Sequence, residues 1–276
     1  THLLGDVRFG LAVIDEACQC TEPSCWVPLQ FADKLILAGD HCQLPPTVVS
    51  QKAAQQGFDV SLLERVNKLY REQVTTRLTK QYRMNSEIMQ FSSDQFYEGT
   101  LEADLGVATH VLKDLEGVPA GELTETPVQF IDTAGADWEE ELEEPGESRR
   151  NPDEAQLVVK KIESLVDRNV PAHFIAVITP YAAQTRLIRQ LCKVEGVEID
   201  TVDGFQGREK EVILISCVRS NREGIIGFLG DTRRMNVALT RAKRKLIVIG
   251  DSATLANHEF YADMLRYFEK INAYST

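Results

Sequence analysis

Five short, almost unbroken apolar runs lie between residues 127 and 250: PVQFIDT, FIAVITP, VEIDTV, EVILISCV and KLIVIG. Runs this dense in β-branched residues leave no polar side to face water. They predict strands buried on both faces, as in a parallel sheet. Parallel neighbours need crossover connections, and helical patterns stand between several of the runs. Residues 153–168 (DEAQLVVKKIESLVDR) place Leu157, Ile162, Leu165 and Val166 at helical spacing, with Asn151-Pro152 as the start signal. Residues 182–193 repeat the pattern. Strand and helix alternation predicts βαβ units and a doubly wound α/β sheet.

The first 75 residues carry the same grammar. LAVI (11–14) reads as a strand ending in Asp15-Glu16, and KLILAG (34–39) as another ending in Gly39-Asp40, with a short helix between them. Residues 61–70 read as a helix with Leu62, Leu63, Val66 and Leu69 on one face. Two strands are too few for an independently stable sheet, so this first unit is expected to be incomplete. The expected division is 1–75 and 76–276, with loop insertions at 104–126 and 133–152, where no periodicity is visible. The 276 residues fit two domains by length. They begin without Met, which is expected of a piece of a longer protein.

No apolar run approaches the ~18 residues of a membrane helix, and the N-terminus does not resemble a secretory signal. With six cysteines, no CxxC pair and no secretory signal, free thiols in a reducing compartment are expected: cytoplasm, or nucleus in a eukaryote. Cys18, Cys20, Cys25, His41 and Cys42 sit close in sequence but fit no ordinary zinc spacing, and buried thiols beside a strand are the plainer reading. Net charge is −12, which argues against a polyanionic ligand. The distribution alters this. Residues 137–147 hold seven acids and no base and are expected to be a solvated loop. Residues 202–245 hold ten bases against five acids, which predicts a local basic surface.

Several residues could carry chemistry. In open α/β sheets, ligands bind beyond the carboxyl ends of strands, where Asp15 and Glu16 fall. One acid there can hold magnesium and its neighbour can activate water, as phosphoryl transfer requires; the plain alternative is two exposed acids that end a strand. GDHCQLPP (39–46) offers Gln43 for a water or γ-phosphate on a loop stiffened by two prolines. QYRM (81–84) offers Arg83 as a fork of donors for phosphate and Tyr82 as a ring for a base. VDGFQGREKE (202–211) offers Gly204 and Gly207 for close backbone approach and Glu209 for a ribose hydroxyl. NVALTRAK (236–243) places Arg241 on an expected helical turn, suited to transition-state charge, although an arbitrary arginine there is more often a surface salt bridge.

Taken in order, DEAC, GDHCQLPP, QYRM, VDGFQGREKE and NVALTRAK closely resemble motifs II to VI of superfamily 1 helicases. The match is to the branch that holds the nonsense-mediated-decay and immunoglobulin-mu-binding helicases, and it runs from residue 11 to about 270. The resemblance implies two RecA-like domains, ATP with Mg2+ in their cleft, and 5′-to-3′ translocation on single-stranded RNA or DNA. By motif it implies Asp15 for magnesium, Glu16 for water, and Gln43, Arg83 and Arg241 for the γ-phosphate. Tyr82 is implied for adenine and Glu209, with Gly207, for the nucleotide. Thr179 and Tyr181 in ITPY, with Thr201 and Val202, resemble positions that touch the nucleic-acid backbone. The 276 residues contain no GxxxxGK[ST] phosphate loop. The chain therefore resembles the C-terminal part of a helicase core, and by itself it is expected to be inactive as an ATPase. A non-hydrolysing nucleic-acid or partner-binding module, or another nucleotide hydrolase, are the competing readings. Neither oligomeric state nor a preference between RNA and DNA follows from these residues.

Overall fold

The computed structural model describes residues 4–146 and 148–276. The chain forms two compact units, Thr1–Leu78 and Thr79–Thr276. In the first, β1 (Ala12–Ile14) and β2 (Leu35–Leu37) pair in parallel, joined through α1 (Glu22–Leu29). A short α2 (Gln51–Ala53) precedes α3 (Leu62–Tyr70), whose N-cap Ser61 accepts from the Glu64 N–H at 3.1 Å. Val13 and Ile36 point into solvent. This two-strand pair therefore buries only part of its apolar surface.

The second unit begins with β3 (Lys80–Gln81), α4 (Ser86–Phe96) and β4 (Glu102–Ala103), then α5 (Glu122–Glu125) and β5 (Val128–Asp132). An antiparallel pair of two-residue strands follows, β6 (Glu141–Leu142) and β7 (Arg149–Arg150). The winding continues as α6 (Pro152–Val166), β8 (Ile175–Thr179), α7 (Ala182–Leu191), β9 (Glu198–Thr201), β10 (Lys210–Ser216), α8 (Thr232–Leu239), β11 (Ala242–Gly250), α9 (Ser252–Leu255), α10 (Glu259–Lys270) and β12 (Tyr274–Ser275). The six-stranded sheet is parallel throughout, in the order β12-β5-β11-β10-β8-β9.

Side-chain alternation divides the core. Val212, Leu214, Ile247 and Ile249 face Ala155, Val158, Ile162 and Leu165 of α6. Ile131 joins that layer, while its neighbour Phe130 faces the other way and stacks on Phe268 of α10 at 5.7 Å. Helices thus cover both faces, as a doubly wound sheet requires. Asn151 caps α6 as its sequence predicts, accepting from the Glu154 N–H at 3.0 Å.

Two segments without visible periodicity are tied into the fold. Segment 104–126 is mainly irregular chain, and its Leu112 and Val118 are buried in the α6 core layer. Its lack of periodicity reflects a single 3-10 turn and one short helix, too brief to show one. The acidic segment is mostly exposed, as expected, with residues 137, 139, 141, 142 and 144–146 open to solvent, but several of its acids are paired. Glu140 pairs with Arg219 at 2.6 Å and Arg149 at 2.9 Å, Glu141 with Arg150 at 3.2 Å, and Glu143 with Arg186. The expected basic surface is largely spent in the same way. Arg208 and Lys210 meet Glu198, Arg234 meets Asp231, Arg244 meets Glu211, and Lys245 is buried. The acids that neutralise this segment come partly from within it and partly from far away in sequence.

Candidate functional site

In the first unit, β1 and β2 end side by side, and their exit loops touch. The Ala17 N–H donates to the Ala38 carbonyl at 2.8 Å. A Cβ at Gly39 would stand 3.0 Å from the Ala17 nitrogen and 3.1 Å from that of Cys18, so this close approach favours glycine. Asp15-Glu16 and Asp40–Gln43 are thereby brought to one edge. Glu16 adopts a left-handed φ of 50°, uncommon for a non-glycine residue. Asp15 Oδ1 accepts its N–H at 3.0 Å, and Gln19 Nε2 donates to its carboxylate at 2.7 Å. Both carboxylates are exposed, hard oxygen donors of the kind magnesium takes. Gln43 donates to Asp40 Oδ2 at 2.9 Å, which fixes its side chain on the same loop.

The cysteines do not form a zinc cage. Cys18 and Cys25 are buried, and burial, with Asp40 nearby, pushes the Cys18 thiol up to about 12, which favours the neutral thiol over the thiolate a metal needs. Among the described residues, the one grouping of metal-type donors is Asp40, His41 and Cys42, three consecutive residues that include none of the other cysteines.

In the second unit, residues from three separated motifs meet at the N-terminal edge of β10 and β11. Arg83 pairs with Glu209 through Nε and donates from Nη1 to the Thr240 carbonyl at 3.0 Å. Lys243 reaches the other Glu209 oxygen at 2.9 Å. Partial burial raises the Glu209 carboxyl, but Lys243 and Arg83 outweigh it and hold it below the ordinary carboxylate value. Glu209 thus orients Arg83, a role that sequence reading did not give it. Gly207, just before it, has φ 75°, a conformation that suits glycine. Tyr82 is 68% exposed, its ring open to stack on a flat partner, with Lys80 Nζ 5.7 Å from the ring centroid.

Arg241 lies on the turn that closes α8, its N–H donating to the Ala238 carbonyl at 3.3 Å. It follows the end of α8 and immediately precedes β11. It is only 4% exposed, donating from Nε to the Val237 carbonyl and from Nη2 to Thr240 Oγ1, both at 3.0 Å. Meeting a phosphate would mean exchanging those bonds.

Thr179, Tyr181, Thr201 and Val202 lie at the opposite, C-terminal edge of the same sheet. Thr179, Tyr181 and Val202 are buried, so their side chains do not face a ligand directly. The Tyr181 hydroxyl accepts from Arg219 Nη1 and from the Phe228 N–H, each at 3.2 Å. Thr201 is partly exposed, and its hydroxyl caps the following turn by accepting from the Gly204 N–H at 3.2 Å. Sequence reading missed Thr240 and Lys243, although both fall within the NVALTRAK motif. It also missed Glu154, Glu140 and Arg219, whose partners lie 62 to 79 residues away.

A family model described as "AAA domain" matches residues 58–253, and a second of the same description matches residues 1–51. The chain belongs to the superfamily 1 helicases. It is 49% identical over 268 residues to DNA-binding protein SMUBP-2 of Rattus norvegicus, covering 96% of this chain and 27% of that one. It is 44% identical to DNA polymerase alpha-associated DNA helicase A of Schizosaccharomyces pombe, covering 95% of this chain and 40% of that one. It is 40% identical to the regulator of nonsense transcripts 1 homolog of Drosophila melanogaster, covering 96% and 23%. This helicase portion thus spans about a quarter to two fifths of the length of these relatives. Among the described residues, no helix is long and apolar enough to cross a membrane.

Proposed function

We propose that this chain is the part of an ATP-dependent 5′-to-3′ helicase that carries the water-activating acids and the phosphate-sensing arginines, and that its parent couples ATP hydrolysis to movement along single-stranded RNA or DNA. The observation that carries this reading is the cluster of Arg83, Glu209, Thr240, Arg241 and Lys243. Three motifs, the first more than a hundred residues from the other two, converge there on one charged edge. Phosphoryl transfer is mostly charge placement, and a planar guanidinium held by a carboxylate is already aimed. Residues 1–75 fit the C-terminal part of a first RecA-like domain, and residues 76–276 the second.

The residues fit ATP and Mg2+ in kind. Asp15 would hold the metal and Glu16 would orient and deprotonate the attacking water, its left-handed backbone turning the carboxylate off the strand axis. Bound magnesium would supply neutralisation of charge on the β- and γ-phosphate oxygens. Gln43 would report on the γ-phosphate, Arg83 and Arg241 would balance its charge, and Tyr82 would stack on adenine. Thr179, Tyr181, Thr201 and Val202 would shape the edge where the nucleic acid lies. The cradle that P-loop enzymes build from GxxxxGK[ST] is not among these 276 residues.

The test is ATP turnover and single-strand binding by the purified chain, with and without RNA or DNA. The expected result is strand binding without turnover. Strand-stimulated turnover that Glu16→Gln abolishes would overturn the view that these residues lack a phosphate site. Absence of strand binding would overturn the motor reading.

A further inference from the structure

Beyond β10 the chain crosses the C-terminal edge of the sheet as a loop, residues 217–231, whose shape is closely fixed. Asn221 holds it from both sides, donating from Nδ2 to the Ile225 carbonyl at 2.9 Å and accepting the Ile225 N–H at 2.8 Å. Arg219 lies buried beneath, donating to Glu140 at 2.6 Å and to the Tyr181 hydroxyl at 3.2 Å. Gly227 has φ 54°, and a Cβ there would fall on the Arg219 guanidinium and the Tyr181 hydroxyl. The loop can rest on that pair only with glycine at this position.

The product of this bracing is an exposed aromatic ring. Phe228 is 60% exposed although its backbone N–H is tied to Tyr181, and its ring centroid stands 5.6 Å from that of Tyr181. An apolar ring left in water on a rigid loop suits a flat partner that meets it without reorganisation. Six residues upstream, Arg222 has 88% of its side chain exposed, and its pairing with Glu139 at 3.6 Å joins two well-solvated groups. Such a pair contributes little and exchanges readily for another anion. An exposed ring and an available guanidinium on one loop match one base and one phosphate of a single strand. Ile225 is the other exposed large apolar side chain of this loop, at 56%, and two such side chains are less than the apolar core that a protein partner would bury.

We propose that Phe228 stacks on a nucleobase of the bound single strand and that Arg222 meets a neighbouring phosphate. Tyr181, the aromatic that the motif resemblance singles out, supports this ring from below and stays out of contact itself. The proposal rests on the helicase reading of the same edge.

The experiment measures binding of a fluorescein-labelled oligothymidylate to the 276-residue chain by anisotropy across a salt series. Phe228→Ala is expected to weaken binding about tenfold or more, the scale of one lost base–aromatic stack, with the salt slope unchanged because no charge is lost. Arg222→Ala is expected to make the slope shallower. Phe228→Trp is expected to keep wild-type affinity, with emission that falls on binding, over the background of Trp26 and Trp138. Wild-type binding combined with unchanged affinity in Phe228→Ala and no emission change in Phe228→Trp would overturn the stacking role while leaving the helicase reading intact, and a surface that serves a protein partner would give that result. A wild-type chain that binds no strand would remove both.

Discussion

Glu154 has no contact with solvent, yet both its oxygens are occupied. Ser216 Oγ donates to it at 2.6 Å and the Val218 N–H at 3.0 Å, which tethers the first turn of α6 to the end of β10. Val218 is itself unusual, a β-branched residue at φ 71°, where L side chains are strained. The carboxyl therefore fastens the point at which the chain turns toward Arg219 and Phe228. Burial pushes it up to about 7, against the opposing pull of those hydrogen bonds. Because the folded value lies above the unfolded one, the folded state binds more protons between about 4.5 and 7. The contribution of Glu154 to stability is complete below that window and is lost as pH rises through about 7. Melting curves should show wild type gaining on Glu154→Gln as pH falls across the window, whereas a pH-independent difference would mean that the group does not titrate there. In the sequence Glu154 is one of two acids in a first helical turn, and nothing local separates it from its neighbour Asp153. The distinction is made by Ser216, 62 residues away.

At the scale of an element, the acidic stretch around β6 is mostly exposed, as its composition suggests, and Glu140 is the exception. A run of seven acids in eleven residues carries no apolar period and two-residue strands leave none, so the sequence suggests a solvated loop. Its function in the fold is set by where its side chains land. Glu140 and Arg219 are both nearly buried, and Glu140 also accepts from the Ser220 N–H at 3.0 Å. Removing one charge from such a pair strands the other away from water. Glu140→Gln should therefore cost about 3–5 kcal/mol in urea unfolding. The same change at solvent-exposed Glu139 should stay within about 0.5 kcal/mol. Equal, small effects at both positions would mean that this stretch does not brace the loop. By contrast, α6 and α7 were legible almost to the residue, because fifteen and ten residues are long enough for the 3.6-residue period and for capping signals to register.

At the scale of the molecule, the two units differ in how completely they bury their own strands. β8, β10 and β11 lie inside a six-stranded sheet with helices on both faces, and it is this double burial that made their apolar runs readable in the sequence. β1 and β2 form a pair with exposed Val13 and Ile36. Native-state hydrogen exchange should find the β10 and β11 amides the slowest in the chain and those of β1 and β2 faster by orders of magnitude. Equal protection would show that the first unit is stabilised as fully as the second. The candidate site was legible as a set of residue types in order. Its internal wiring was not, because contacts such as Arg83 with Glu209 span 126 residues and depend on a sheet order that spacing alone does not dictate.

That wiring places the charged cluster and the aromatic loop at opposite ends of the same strand. Glu209 immediately precedes β10, and the loop bearing Phe228 follows it, across seven residues or ~23 Å of extended chain. β10 is hydrogen-bonded on both sides and packed on both faces, and close-packed interiors yield little to compression. The pairing with β11 shifts register between Lys210 and Val212, so the regular ladder on both sides begins at Val212. The strand is a ruler: it sets the distance between the Arg83–Glu209 pair and the start of the loop that carries Phe228.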